Sequence, residues 1–424
     1  MADLSIDFAG IRSPNPFWLA SGPPTNSAYQ AHRAFEAGWG GVVWKTIGAP
    51  IVNVNSRYGA LGYQGKRVMG FNNIELITDR PIEDNLREIR EVKERWPDRA
   101  VIASLMVESS REAWHDIIRR VHDTGADGIE LNFGCPHGMS ERGMGAAVGQ
   151  VPEYTCRITE WVMEAARIPV IVKLTPNVAD IVPPGLAAQK GGAGAVSLIN
   201  TINSVTGVDL DSLVPNPNVH GRSSHGGYCG PAVKPIALNM VGSLSHHPEF
   251  RLPISGIGGI EGWSDAAEFI AMGALSVQVC TAAMKYGFRI VTDMITGLSN
   301  WMDEKGFRKV TDFCGLAAGK LSDWGDLDLN YRIMAHIDEE RCVGCQICYI
   351  ACEDGAHQAI LLPANGKRVP RINEEACVGC NLCSLVCPVD GCITMVQKDE
   401  GKPVRSFKEY VAAGEAPRGN YPMH

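Results

Sequence analysis

Eight of the 14 cysteines fall in two runs near the C-terminus, Cys342-Cys345-Cys348-Cys352 and Cys377-Cys380-Cys383-Cys387, each spaced C-x2-C-x2-C-x3-C. Pro388 follows the second run. Thiolates spaced two apart on a tight loop take three corners of one 4Fe-4S cubane, while the fourth cysteine of each run ligates the other cluster. The spacing therefore assigns Cys342, Cys345, Cys348 and Cys387 to one 4Fe-4S cluster, and Cys377, Cys380, Cys383 and Cys352 to the second. Zinc modules usually present two cysteines and then a longer gap. A disulfide framework needs an oxidising compartment, of which the sequence gives no sign. The chemistry expected of these residues is electron transfer.

The elements that would position a reaction lie upstream. Eight short apolar, β-rich runs occur at 16–20, 41–47, 100–106, 127–133, 169–174, 194–199, 252–257 and 275–280. Segments of helical period separate them. In 110–123, Ala113, Trp114, Ile117, Ile118 and Val121 share one face while Arg111, Glu112, Arg119 and Arg120 point away; in 82–96, Ile82, Leu86, Ile89 and Trp96 do the same. Eight strand-helix alternations over about 300 residues predict a closed (β/α)8 TIM barrel. An open doubly wound sheet is the alternative, but no G-x-G-x-x-G opens a helix after the first run.

Working residues of such a barrel sit at the carboxyl ends of its strands. Read in order, those ends carry Ser21 and Gly22, then Lys45 and Thr46, then Asn132, Gly134 and Cys135. Lys173 follows, then Asn200 and Thr201, then Gly256, Gly258 and Gly259, and finally Cys280 and Thr281. Glycines after strand seven and hydroxyls after strand eight suit a phosphate cradle. A phosphate-binding barrel joined to iron-sulfur clusters points to FMN, which exchanges single electrons with clusters and hydride with organic substrates. Lys45 and Lys173, each among apolar neighbours, are expected beside the flavin, where positive charge stabilises the reduced anionic ring. A lone lysine otherwise snorkels to solvent. Cys135, held by Pro136, is expected to exchange a proton with substrate carbon, and His137 either tunes that thiol or serves as a lid contact. The glycine-rich stretch 138–149 is expected to form a lid.

With 45% hydrophobic and 20% charged residues the chain is an ordinary globular protein with a sizeable core. A net charge of −8 argues against nucleic acid or an anionic membrane as partner. No secretory signal opens the chain and no run reaches about 18 apolar residues, so a cytoplasmic location is expected. The expected organisation is a barrel over 1–305, a connector over 306–335, a ferredoxin-like domain over 336–398 and a tail over 399–424 that packs along a surface or a partner. The near copies RCVGC-QIC and ACVGC-NLC mark the ferredoxin-like domain as duplicated.

The segment ELNFGCPHGMSERGMGAAVGQ, with FNNIELI at 71–77, VKLTPNV at 172–178, INTINSVTG at 199–207 and the two cysteine runs, resembles the dihydropyrimidine dehydrogenase family across essentially the whole chain. The likeness is greatest to the catalytic subunits of the bacterial NAD-dependent enzymes. The resemblance implies reversible reduction of uracil and thymine to their 5,6-dihydro forms, with hydride passing from FMN to C6 and a proton from Cys135 to C5. It also implies pyrimidine contacts at Asn73, Glu75, Asn132, Phe133, Gly134, Asn200 and Thr201. FMN contacts are implied at Ser21, Lys45, Thr46, Lys173, Gly230, Ile257, Gly258, Gly259, Cys280 and Thr281. Gly134 stands where animal relatives carry Ser, so only backbone contact is expected there. Because the chain opens at the barrel, FAD and the NAD(H) site are expected on a partner subunit, with a homodimer of this subunit inside a heterotetramer. The runner-up is a dihydroorotate dehydrogenase-like flavin oxidoreductase acting on another cyclic amide. An electron-transfer module with an inert barrel is the third reading.

Overall fold

The eight apolar runs form the strands β1 Phe17–Leu19, β2 Gly41–Val43, β3 Ala100–Leu105, β4 Gly128–Asn132, β5 Val170–Lys173, β6 Ala195–Leu198, β7 Ile254–Ile257 and β8 Ala274–Val279. All are parallel and pair in chain order, and β8 returns to β1 to close a TIM barrel. The computed structural model describes residues 2–63, 66–136, 138–355, 357–363, 368–398 and 401–415, without the side chains of 62, 63, 66–68 and 141. His137, residues 364–367 and residues 416–424 of the expected tail lie outside the described residues.

Parallel strands covered on both faces read as continuous apolar runs. Accordingly, all six residues of β3 are buried. The helix Arg111–His122 buries Trp114, Ile117, Ile118 and Val121, the face its periodicity picked out, and its Ser110 cap accepts from Ala113 N–H. Burying each such side chain contributes about 1.5–3 kcal/mol. A loss of one of them leaves a cavity in the shell that holds β3 and β4 in place.

The chain divides into two units, Met1–Leu321 and Ser322–His424. Residues 306–321, read from sequence as the start of a connector, belong to the barrel unit. Val310, Phe313 and Ala318 are buried there, and Phe313 packs on Trp301 with ring centroids 5.0 Å apart.

An added antiparallel sheet rises from the loops after β2 and β6. Its order is Ile202–Ser204, Gly226–Cys229, Lys66–Asn73, Tyr58–Tyr63, with Gly227 opposite Asn73. This sheet places Tyr58, Asn73 and Tyr228 at the mouth of the barrel.

The second unit is a duplicated fold. Ile333–Ile337 pairs antiparallel with Ile393–Gln397, and Ile360–Leu361 with Arg371–Ile372. Each cysteine loop turns through Gly and then Gln or Asn at positive φ: Gly344 at 65° and Gln346 at 64°, Gly379 at 72° and Asn381 at 69°. The sequence repeat is therefore a repeat of backbone conformation. Residues 401–415 fold back on their own unit, where Phe407 packs on Trp324 and Tyr410 O–H donates to Asn330.

Candidate active site

A cavity of about 1200 Å³, open to solvent, lies at the carboxyl ends of the barrel strands. Its wall contains Ser21, Lys45, Thr46, Asn73, Glu75, Asn132, Cys135, Lys173, Asn200, Thr201, Gly230, Ile257, Gly258, Gly259, Cys280 and Thr281. Residues spread over 260 positions of chain thus meet because all eight strands point the same way.

An amide and hydroxyl ladder crosses the cavity. Ser21 Oγ and Thr46 Oγ1 are 3.0 Å apart, Thr46 Oγ1 accepts from Asn132 Nδ2 at 2.9 Å, and Asn132 Oδ1 accepts from Asn200 Nδ2 at 2.9 Å. Asn200 Oδ1 then accepts from Thr201 N–H at 2.8 Å. Each amide is thereby locked in one orientation, and such pre-orientation lowers the entropic cost of binding a polar ring.

Gly134 accounts for the close approach within this ladder. A Cβ there would lie 2.5 Å from Asn200 Cβ and Nδ2, so any side chain at 134 would displace the amide. Phe133 does not reach the cavity wall. Its ring is buried between the barrel and the helix Arg111–His122, edge-on to Trp114 at 6.2 Å, because successive strand-end residues face opposite sides.

Lys45 and Lys173 are each 5% exposed. Lys45 Nζ donates to Glu75 Oε1 at 2.5 Å, and Glu75 is also bonded by Tyr58 O–H and faced by Arg57 Nη1 at 3.7 Å. Burial, and then the Glu75 hydrogen bond, push the Tyr58 phenol above its ordinary range. Lys173 Nζ stands 3.9 Å from Glu130 Oε1. Both cations therefore have carboxylate partners, as buried ammonium groups require.

Cys135 is 8% exposed and packs with Ile77, Met106 and Met139. The glycine-rich segment is hydrogen-bonded to its backbone: Ser140 O–H and Ala146 N–H both donate to the Cys135 carbonyl, at 2.8 and 3.0 Å. Two further thiols share the cavity. Burial pushes Cys280 up to about 12 and also raises Cys229, so both are neutral in ordinary buffers.

The fit to a flavin phosphate is testable in the glycine turn after β7. Gly259 has φ +75°, and a Cβ on it would come within 2.8 Å of the Gly230 carbonyl. Only glycine brings these two backbone segments together beside Thr281, in the kind of tight backbone turn from which phosphate cradles are built. The residues fit an anionic, planar cofactor.

In the second unit, two cavities of about 320 and 350 Å³ gather the cysteines. Cys342, Cys345, Cys348 and Cys387, together with the buried Cys392 from outside both runs, line the first, and Cys352, Cys377, Cys380 and Cys383 the second. Each quartet thus contains three cysteines of one run and the last of the other, the crossed pattern that paired 4Fe-4S clusters need. Among the described residues, no three His, Cys, Asp or Glu side chains converge as on a single metal ion.

Residues 3–302 match the family model of dihydroorotate dehydrogenase, and residues 335–395 match that of the 4Fe-4S dicluster domain. The chain belongs to the dihydroorotate dehydrogenase family and is an oxidoreductase acting on CH-CH groups. Within that class, the NAD-dependent dihydropyrimidine dehydrogenase subunit PreA of Escherichia coli K12 is 45% identical over 360 residues, covering 84% of this chain and 87% of its own. The chloroplastic dihydropyrimidine dehydrogenase (NADP+) of Arabidopsis thaliana is 43% identical, with 74% and 76% covered. The catalytic subunit of dihydroorotate dehydrogenase B (NAD+) from Pyrococcus abyssi is 36% identical, with 74% and 99% covered.

Sequence reasoning missed Tyr58, Phe71, Tyr228, Gln278 and Met284, which also line the cavity. The aromatic ones come from the added sheet, whose pairing joins residues more than 150 positions apart and leaves no local mark. Glu130 was missed too, although a carboxylate inside an apolar run was a readable signal. No helix among the described residues is long and apolar enough to cross a membrane.

Proposed function

We propose that the chain is the catalytic subunit of a cytoplasmic NAD-dependent dihydropyrimidine dehydrogenase that interconverts uracil or thymine and their 5,6-dihydro forms. The observation that carries this reading is the Asn132–Asn200 amide pair on the same cavity wall as the Cys135 thiol. A pyrimidine ring presents alternating C=O and N–H groups, and fixed amides offer it both donor and acceptor.

FMN, when bound, would supply hydride to C6 and exchange single electrons with the clusters. Lys45 and Lys173 would hold its anionic edge, Ser21, Thr46 and Ile257 its body, and Gly230, Gly258, Gly259, Cys280 and Thr281 its phosphate end. Asn73, Glu75, Asn132, Asn200 and Thr201 orient the pyrimidine. Cys135 gives its thiol proton to C5 in the reducing direction and takes one back in the other. The carbonyl of Cys135 accepts two hydrogen bonds from 140–146, which fixes the backbone from which that thiol projects. The two cysteine quartets hold the clusters that pass electrons to and from a partner subunit carrying FAD and the NAD(H) site. The relative named as a subunit, PreA, supports such a companion.

Co-purification from the native source tests this reading. An FAD-containing companion and NADH-dependent uracil reduction, present together and absent from the isolated chain, are expected. A chain that reduces uracil with NADH alone, or that never does so with a companion, overturns it.

A further inference from the structure

Beneath the cavity the barrel interior is polar. Glu130 on β4 is 0% exposed, and its Oε2 accepts from Ser197 Oγ of β6 at 2.8 Å and from Gln278 Nε2 of β8 at 3.2 Å. Gln278 Nε2 also reaches Ser255 Oγ at 3.2 Å, which accepts from Ser276 Oγ at 2.7 Å. Two donors from across the barrel therefore pin one oxygen of the carboxylate. The other, Oε1, is fully buried, has no hydrogen-bond partner and lies 3.9 Å from Lys173 Nζ. Lys173 is on the adjoining strand, one step nearer the mouth, with its register partner Asn132 lying two residues past Glu130.

We propose that Glu130 is a positioning residue for Lys173: it draws the ammonium toward the barrel floor and sets how much positive charge the flavin edge meets. The inference rests on the reading that this cavity holds FMN. A buried carboxylate must be compensated, and here the compensation is divided between two neutral donors and one cation. The split has a direction. Whatever part of the lysine charge Glu130 cancels is withheld from the reduced, anionic ring, so the carboxylate keeps the flavin harder to reduce. Ser197 and Gln278 moderate this by drawing carboxylate charge toward the far wall.

The test is the two-electron midpoint potential of the flavin in the full-length, cluster-loaded chain, followed by flavin absorption in an anaerobic redox titration. Glu130→Gln is isosteric and removes only the charge, leaving one oxygen to accept from Ser197 and Gln278. It is expected to raise the reduced-to-oxidised ratio at fixed poise about tenfold, ~30 mV for a two-electron couple. Ser197→Ala, which keeps every charge, is expected to shift the ratio about threefold the other way. In a Lys173→Met background either shift falls to less than a third. A wild-type potential in both variants, at full flavin content, overturns the proposal, as does a Glu130→Gln shift of the same size with and without Lys173. If Glu130→Gln does not fold, Ser197→Ala alone decides by the same criteria. A wild-type chain that takes up no flavin overturns the FMN reading itself, and this inference with it.

Discussion

Lys45 and Glu75 are joined by an ion pair of 2.5 Å between a barrel strand end and the segment that leaves the added sheet after Asn73, with the two side chains 6% and 9% exposed. The pair ties the cation assigned to the flavin to the carboxylate assigned to the substrate. Removing one partner of a buried pair costs about 3–5 kcal/mol because the other is left uncompensated. Glu75→Gln is therefore expected to raise the KM for uracil by at least about tenfold and to lower flavin occupancy as Lys45 loses its anchor. Tyr58→Phe removes only a hydrogen bond and is expected to raise KM by no more than about tenfold, at unchanged flavin content. Steady-state kinetics with flavin quantitation separates the two.

On the proposed reading, turnover depends on Cys135. A positioned general acid contributes about 10²–10⁴-fold. Cys135→Ala is expected to lose that much of kcat while retaining flavin, measured by the rate of substrate-driven flavin reduction. Unchanged turnover in this variant would favour the inert-barrel reading.

The strand runs were readable because buried parallel strands leave unbroken apolar segments, and the cysteine groups because the fold brings three members of one spaced run and the last of the other to each cavity. What escaped depended on distant pairing. Tyr58 and Tyr228 reach the cavity only through a sheet built from two separated loops. The resemblance implied a pyrimidine contact at Phe133, yet its ring packs against Trp114 of the flanking helix. Glu130, two residues before Asn132, shares its side of the strand by simple alternation and was within reach of the sequence.

The crossed cysteine pattern makes a sharp prediction. Cys387→Ser is expected to damage the cluster of Cys342, Cys345 and Cys348, and Cys352→Ser that of Cys377, Cys380 and Cys383. Iron per chain should fall from about eight toward four in each, with distinct paramagnetic spectra. Loss of the cluster nearest in sequence instead would refute the crossing.

Cys280 sets an alkaline limit. Desolvation in the wall of the cavity, where Cys280 is half-buried, pushes its thiol up to about 12 from an ordinary value of 9.0. The unfolded chain ionises first, so this group leaves stability unchanged below pH 9.0 and erodes it as pH rises toward about 12. Urea midpoints at pH 8 and pH 10 should differ less in Cys280→Ala than in the wild type by about the contribution of one thiol. An equal difference in both would remove Cys280 as the source.

The central claim is the identity of the ring that the Asn132–Asn200 ladder and Cys135 receive. The direct measurement is anaerobic mixing of the purified flavin-loaded chain with dihydrouracil and, separately, with dihydroorotate, watching flavin absorption. Bleaching by dihydrouracil, with little or none by dihydroorotate, is the predicted result. Bleaching by dihydroorotate alone would contradict it.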